Sequence, residues 1–261
     1  MVGIPSSMNS LSLLAIPGLP EIGPGSDLTS LLLSALEQAG CELRATDALL
    51  IGQKIISKAE NCFVDLDSVQ VSQRARELAA LCGKDPRLVE VILGESTKVV
   101  RCAPRVLIVR HRLGLVVANA AVDQSNVPGS AARALLLPRD PDASAARLRD
   151  SIHAATGIAP AVVITDSFGR PWRQGVCGTA IGSAGLLTLW DLRGTADREG
   201  RPLQVTQVAI ADALSAAAAL LMGEAAEGTP LVHARGLPRH LLSESANARQ
   251  LQRPMHEDLF Q

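Results

Sequence analysis

The stretch ITDSFGRPWRQG, residues 164–175, gathers more reactive chemistry than a surface loop needs. The apolar run at 161–164 leads into a carboxylate, Asp166, and then at once a hydroxyl, Ser167. Two guanidinium groups, Arg170 and Arg173, bracket Trp172, one of two tryptophans in the chain. A second strand end repeats the theme. In NAAVDQSNVPG, residues 119–129, Asn119, Asp123, Ser125 and Asn126 come in quick succession. Alone, that stretch reads equally well as an Asx-type turn, because Asn, Asp and Ser side chains bond their own backbone. Two strand ends that each bring an Asp beside a hydroxyl or amide make a different case. Hard cations such as Mg²⁺ and Mn²⁺ take oxygen ligands of this kind, with phosphate oxygens completing the shell. Arginines nearby would grip a phosphate or carboxylate through paired hydrogen bonds.

Two further stretches carry charge at defined spacing. In GQKIISKAEN, Gln53, Lys54, Lys58 and Glu60 come after a buried-looking strand. Lys54 and Lys58 read either as a solvated strand end or helix start, or as a pair of ammonium groups over a polyphosphate. In MGEAAEGTP, Met222 and Gly223 read as the end of a long helix with its glycine cap. Glu224 then lies where the helix dipole disfavours a carboxylate, a cost that a bound cation would offset. There is no GxxxxGK[ST], no GxGxxG after a strand, no GxSxG and no HExxH. Any nucleotide would be held by an unfamiliar cradle.

Composition narrows the function classes. The chain has 261 residues and a formal net charge of -1, so no basic surface for nucleic acid or membrane is expected. Aromatic residues make up 2% and Tyr is absent, which argues against base-stacking platforms. Five cysteines at 41, 62, 82, 102 and 177 form no CxxC pair, and no His stands at zinc-ligand spacing. They are expected as reduced thiols. The N-terminus has no basic segment before its apolar patch, and the longest apolar stretch, around 208–222, contains Asp212 and is too short for a bilayer. A soluble, cytoplasmic protein is expected.

The elements that must position these groups can be read from periodicity and punctuation. Asp27 caps a helix that Gly40 stops, after a Pro/Gly-rich surface segment at 16–27. Two helices are expected over 72–83 and 85–94, a hairpin turning at HRLG within 105–122, and a helix over 140–157. PAVVITD is a strand, GTAIGSAG a thin strand whose glycines permit close backbone approach, 205–224 the longest helix, and TPLVHARG a last strand. Trp172 is expected to wedge its loop in place by packing. The irregular alternation with a hairpin points to a mixed α/β fold rather than a parallel doubly wound sheet.

Taken together, IPGLPEIGPGSDL, QKIISKAE, NAAVDQSNVPG, LLLPRDPDASAARLR, ITDSFGRPWRQG, AIGSAG, RPLQVTQVAIADALSAAAALLMGEA and VHARGL resemble the coenzyme F420-0:L-glutamate ligase family, in that family's order and over about 16–237. The resemblance implies a mixed, α+β-like fold with mostly antiparallel sheets, packed helices and two interleaved subdomains. It implies a homodimer. Residues 1–15 would be an N-terminal extension, 16–240 the ligase domain and 241–261 a tail. RPMHEDLF is similar to the linker that precedes a nitroreductase-like domain in actinobacterial fusions, and with the chain ending there a free-standing ligase is expected.

The implied activity is GTP-dependent joining of L-glutamate to the carboxylate of a deazaflavin precursor, then of further glutamates through γ-links. The implied cofactors are Mn²⁺ or Mg²⁺ at two sites, with K⁺ as activator. By the same resemblance, Asp123 and Asp166 hold one metal, and Ser167 with Glu224 belongs to the second. Lys58, Asn126, the loop Leu19, Pro20, Glu21, Ile22 and the stretch 220–227, with Met222 and Gly223, contact the nucleotide. Gln53 and Lys54 fall where relatives often carry other polar residues.

Amide synthesis from a carboxylate needs activation, and phosphoryl transfer to give an acyl phosphate is the physically sensible route. Arg170 and Arg173 are expected to hold the acidic partners. A metal-dependent phosphatase or phosphotransferase would use the same kit without glutamate. A non-catalytic pathway binding protein would bind without turnover.

Overall fold

The computed structural model describes residues 10–126 and 132–258. The first nine residues of the expected extension, residues 127–129 of the DQSNVPG motif and the last three residues of the tail lie outside them.

The chain builds a five-stranded sheet with helices on both faces, and inserts a second lobe into it. The sheet uses β1 (Ser12–Ala15), β2 (Ala48–Gly52), β8 (Ala161–Arg170), β9 (Arg173–Ala184) and β12 (Leu231–Arg235), in the order β1-β12-β2-β8-β9. Its helices are α1 (Leu28–Gln38), α2 (Gln53–Ala59), α5 (Pro141–Thr156) and α6 (Ile210–Met222). The lobe comprises β3 (Phe63–Asp65), α3 (Gln73–Cys82), α4 (Pro86–Gly94), β4 (Ser96–Ala103), β5 (Val106–His111), β6 (Val116–Ala118) and β7 (Arg133–Leu135). A short ribbon of β10 (Leu189–Asp191) and β11 (Gln207–Ala209) precedes α6. Antiparallel pairing dominates, and β2 with β8 is parallel. The fold is the mixed, mostly antiparallel α/β architecture expected.

Period-two alternation decides which face of each strand meets which helix. Leu49, Ile51, Val162, Ile164 and Leu231 pack with α1, α2 and α5. Their neighbours Ala48, Leu50, Ala161, Val163 and Val232 pack under Ala211, Leu214 and Ala218 of α6. Strands buried on both faces read as unbroken apolar runs, which is how ALLI and AVVI read in the sequence. The lobe has its own core, where Leu78, Val89 and Ile92 of α3 and α4 meet Leu107 and Val109 of β5.

Caps set the helix limits as expected. Asp27, Ser72 and Asp140 accept hydrogen bonds from Ser30, Ala75 and Ala143 amides at 3.1 Å each. Gly83 and Gly157 close α3 and α5 in left-handed conformation.

The glycines of β9 allow close approach, as its sequence suggested. A Cβ at Gly178 would lie 2.2 Å from the Ser215 carbonyl of α6, and one at Gly182 would lie 2.3 Å from the Pro141 carbonyl of α5. These two same-parity residues face opposite layers because a bulge intervenes: Ile164 pairs with Gly182 and Thr165 with Ala180, leaving Ile181 unpaired.

Several expectations are corrected. The helix expected over 205–224 starts only at Ile210, because Gln207–Ala209 pairs with β10. At 13 residues it is shorter than α5, which has 16. The ITDSFGRPWRQG segment is not a loop. The strand continues through Arg170 and returns from Arg173, with Pro171 and Trp172 as the turn. Trp172 does not wedge anything inside the fold; it is 87% exposed at the tip of this arm. Of the strand end or helix start expected for Lys54 and Lys58, the structure has the helix, but not a solvated one at Lys58. They ride on α2, where Lys58 is 6% exposed.

Residues 12–15, expected within the N-terminal extension, form β1 and pair with β12. In the tail, Leu242 bridges Leu186, and Ala246 and Ala248 are buried. The five cysteines are unpaired. Among the described residues no helix is long and apolar enough to cross a membrane.

One buried charge ties the sheet together. Asp47, fully buried just before β2, accepts hydrogen bonds from Arg235 Nε at 3.0 Å and from the Arg44 amide at 2.9 Å, and lies 2.8 Å from His233 Nε2. Burial pushes its pKa up, but Arg235, His233 and the Arg44 amide outweigh that and hold it below the usual carboxylate range. Asp47→Ala would leave a half-buried guanidinium and a buried imidazole without their partner, and should cost about 3–5 kcal/mol. The folded-state pKa is depressed, so this stability is present above about pH 4, the unfolded value, and is lost as pH falls through the folded one. Urea melts between neutral and acidic pH should show wild type and variant converging as the pH drops.

Candidate active site

The parallel pair β2 and β8 ends at one place, and the chemistry collects there, where open α/β sheets bind ligands. Beyond β2 the chain turns directly into α2, with Gly52 between them donating to the Pro230 carbonyl at 2.8 Å. Beyond Thr165, β8 delivers Asp166 and Ser167 in succession. Successive strand residues face opposite sides, so these two reach different neighbours. Asp166 faces the α2 side, where Lys54 and Asp123 lie within electrostatic range. The Ser167 hydroxyl turns toward the end of α6 and donates to Glu224 Oε1 at 2.5 Å.

A cleft of about 560 Å³ is the result. It brings together Leu19, Pro20, Glu21, Ile22, Gln53, Lys54, Lys58, Asp123, Asn126, Asp166, Ser167, Met222, Gly223 and Glu224. These are the metal and nucleotide residues expected from the sequence, now in one wall. Arg170 and Arg173 are not among its lining residues. They pair with each other across the tip of the β8–β9 arm, exposed to solvent.

Lys54 is the electrostatic centre. Its ammonium lies 2.7 Å from Asp123 Oδ2 and donates to Ser125 Oγ at 2.7 Å. The Ser125 amide and hydroxyl both donate to Asp123, at 2.7 and 2.9 Å. On the next turn, Lys58 Nζ meets Glu21 Oε1 at 2.5 Å and draws the 19–22 loop over α2. Across the mouth, Asn126 Nδ2 donates to the Ala225 carbonyl at 3.4 Å.

The two aspartates titrate in opposite directions. At Asp123 burial favours the neutral acid, but hydrogen bonds from Lys54 and Ser125 outweigh it, and the pKa is lowered. At Asp166 burial dominates, and the negative charges of Asp123 and Glu224 add to it. The Ser167 amide and Lys54 compensate only in part, so the pKa is pushed up to about 7. The negative charges of Asp123 and Glu224 beside Asp166 make a cation favourable among them.

Among the described residues no three His, Cys, Asp or Glu side chains gather closely enough to hold an ion alone. The donor set instead suits a hard cation that takes one or two carboxylates and completes its shell with phosphate oxygens.

Asp123 is delivered by an unusual backbone. Asn119, Ala120 and Ala121 are all left-handed, with φ of 54°, 54° and 53°. Asn tolerates this region, but each Ala costs about 1–2 kcal/mol there. Right after the turn, Asp123 is pinned to Leu135 by hydrogen bonds of 3.0 and 2.8 Å in both directions. Nothing in the composition of NAAVD announces a left-handed turn, and sequence reasoning missed it. It also missed Thr165 and Thr229 in the cleft wall. Thr229 Oγ1 closes α6 by donating to the Leu221 and Met222 carbonyls at 3.2 and 3.1 Å, a role the string GTP does not advertise.

Comparison with known proteins places this geometry in a family. Residues 18–236 match the model described as F420-0:Gamma-glutamyl ligase. The chain is similar to the coenzyme F420:L-glutamate ligase of Methanothermobacter thermautotrophicus, with 43% identity over 96% of this chain and 98% of the relative. It is 42% identical to the protein of that name from Methanopyrus kandleri, over 97% and 100% of the two chains. It is 40% identical to the one from Haloarcula marismortui, over 95% of each.

Two substitutions test the electrostatics without any assay of function. Lys54→Ala removes a charge-assisted pair from a half-buried carboxylate and should cost about 1–3 kcal/mol. Asp166→Asn removes the crowded negative charge and should leave the Tm of the metal-free protein at neutral pH unchanged or higher. Thermal melts of both variants check the signs, and a large loss in Asp166→Asn would show the carboxylate to be stabilising.

Proposed function

The chain belongs to the F420-0:gamma-glutamyl ligase family, and from that premise we propose that it joins L-glutamate to the carboxylate of a deazaflavin coenzyme precursor at the expense of GTP. The observation that carries this reading is the convergence of Asp123, Asp166, Ser167 and Glu224 with Lys54 and Lys58 in one cleft. Carboxylates and ammonium groups so arranged suit a triphosphate that arrives with its cations.

In this reading Asp123 and Asp166 hold one Mn²⁺ or Mg²⁺, and Ser167 with Glu224 contributes to a second site. The cations supply neutralisation of charge on the transferring phosphoryl group and on the departing diphosphate. Lys58 and Lys54 bind phosphate oxygens, which requires Lys54 to relax its contact with Asp123. The 19–22 loop and the 220–227 stretch flank the nucleotide, and Asn126 closes over it. Phosphoryl transfer to the acceptor carboxylate gives an acyl phosphate. The glutamate amine attacks its carbonyl and phosphate leaves. Further glutamates add through γ-links by the same cycle. K⁺ acts as an activator.

Arg170 and Arg173 remain the candidates for holding acidic substrate groups. Their place on an exposed arm, beside an exposed Trp172, fits a homodimer in which the arm meets a second copy.

The deciding experiment is mass spectrometry of a reaction containing the deazaflavin precursor, L-glutamate, GTP and Mn²⁺, with a control lacking glutamate. A GTP-dependent ladder of glutamyl additions is the expected result. GDP formation that ignores glutamate would mark a phosphatase instead. Asp166→Asn should lower the rate at least about a hundredfold, the scale of losing one group that stabilises transferring charge.

A further inference from the structure

The left-handed turn Asn119–Ala121 lies where the two cores of the molecule meet. The side chain of Ala120 is fully buried in the lobe core, among Leu107, Val109 and the helices α3 and α4. Ala121, the next residue, packs instead against the core of the main sheet. Val122 returns to the lobe core. Three consecutive side chains are thus dealt to two different cores, and Asp123 comes next, at the rim of the cleft. The handedness of the winding sets the direction in which the chain leaves the turn. L-residues adopt this winding singly, not in runs, unless the surroundings over-determine it. Here the surroundings do: Ala120 is enclosed, and Asp123 is held on both sides by Leu135. The Asn119 side-chain oxygen is buried without a hydrogen-bond partner among the described residues, a second unfavourable feature kept in the same three residues.

We propose that this turn is a positioning element, with Ala120 and Ala121 as positioning residues that act through Asp123. It fixes the direction in which the Asp123 carboxylate enters the cleft that Asp166 also lines, so that the two can serve one cation. The proposal rests on the reading of Asp123 and Asp166 as cation ligands. A turn of only three residues suffices because both of its ends are anchored, by β6 on one side and by the Asp123–Leu135 bridge on the other.

The test uses three substitutions at Ala121 in the full chain, read by Mn²⁺ titration in the presence of a non-hydrolysable GTP analogue, against the analogue alone, with electron paramagnetic resonance of the free ion, and by thermal melts. Ala121→Gly keeps the left-handed region accessible but frees the backbone. Ala121→Asn and Ala121→Val add side chains of similar size, of which Asn tolerates positive φ and the β-branched Val opposes it.

Mn²⁺ affinity is expected to fall about tenfold in Ala121→Gly with little change in Tm, the lower end of what loss of outer support costs a metal site. It should fall further in Ala121→Val and stay near wild type in Ala121→Asn. A turn that served stability alone would shift Tm in step with the substitutions and leave the affinity of the folded protein unchanged, and that outcome would overturn the proposal. Equal losses in Asn and Val would also overturn it, because side-chain bulk and not backbone conformation would then be the cause. Should the Val variant fail to fold, the Gly and Asn variants decide by the same criteria. Wild-type protein that binds no Mn²⁺ would sink the functional reading and this inference with it. Wild-type binding with unaltered variants would sink the inference alone.

Discussion

The parallel pairing of β2 with β8 is the constraint on which the rest of the structure depends. Parallel neighbours point their carboxyl ends the same way, so the residues just after β2 and those at the end of β8 must meet. The chain leaves β2 as α2, with Gln53, Lys54 and Lys58. Toward its end β8 carries Asp166 and Ser167. A parallel pair also needs a long crossover, and here the crossover carries the entire second lobe before α5 returns the chain to the sheet. The lobe hands back Asp123 on its way. The cleft is therefore a product of strand direction: three chain segments far apart in sequence are delivered to one strand end by topology.

Electrostatics then make that place reactive. Burial alone would raise the pKa of both aspartates, yet the outcomes differ because Lys54 and Ser125 are engaged by Asp123. Asp166 is left with burial and two negative neighbours. A second charged node, Asp47 with Arg235 and His233, is balanced the other way, its partners outweighing burial. One carboxylate network is satisfied and holds the sheet together. The other is held short of satisfaction in the cleft.

The long β8–β9 arm grows from the same strands. Once β8 has delivered Asp166 and Ser167 to the cleft it does not stop, because Ser167, Phe168 and Gly169 still find partners in Gly178, Cys177 and Val176. The glycines that let β9 lie close beneath α5 and α6, and the bulge at Ile181 that separates their faces, set the base of the arm against both helices. Its tip, with two arginines and an exposed tryptophan, does not line the cleft of its own chain.

The sequence by itself determined most of the elements and named most of the charged residues that line the cleft. Apolar runs at 48–51 and 161–164, caps at Asp27, Ser72 and Asp140, and stops at Gly83 and Gly157 are local signals, written in the residues that form them. The motifs DQSNVPG and TDSFGRPWRQG, and the helix-end glutamate at 224, name candidate ligands because residue type alone limits what chemistry is possible. Only the tertiary structure decided the rest. It placed Asp123 against Lys54, and it split the two aspartates in pKa. It turned Lys58 inward and put Trp172 outside. It gave Gln207–Ala209 to a strand, and it wound Asn119–Ala121 left-handed. The reason is the same in each case. Burial, pairing and backbone strain depend on neighbours that the chain reaches through long-range contacts, and no local window contains them. Ala120 is the clearest instance: its own preference is right-handed, and two cores and a bridged aspartate overrule it.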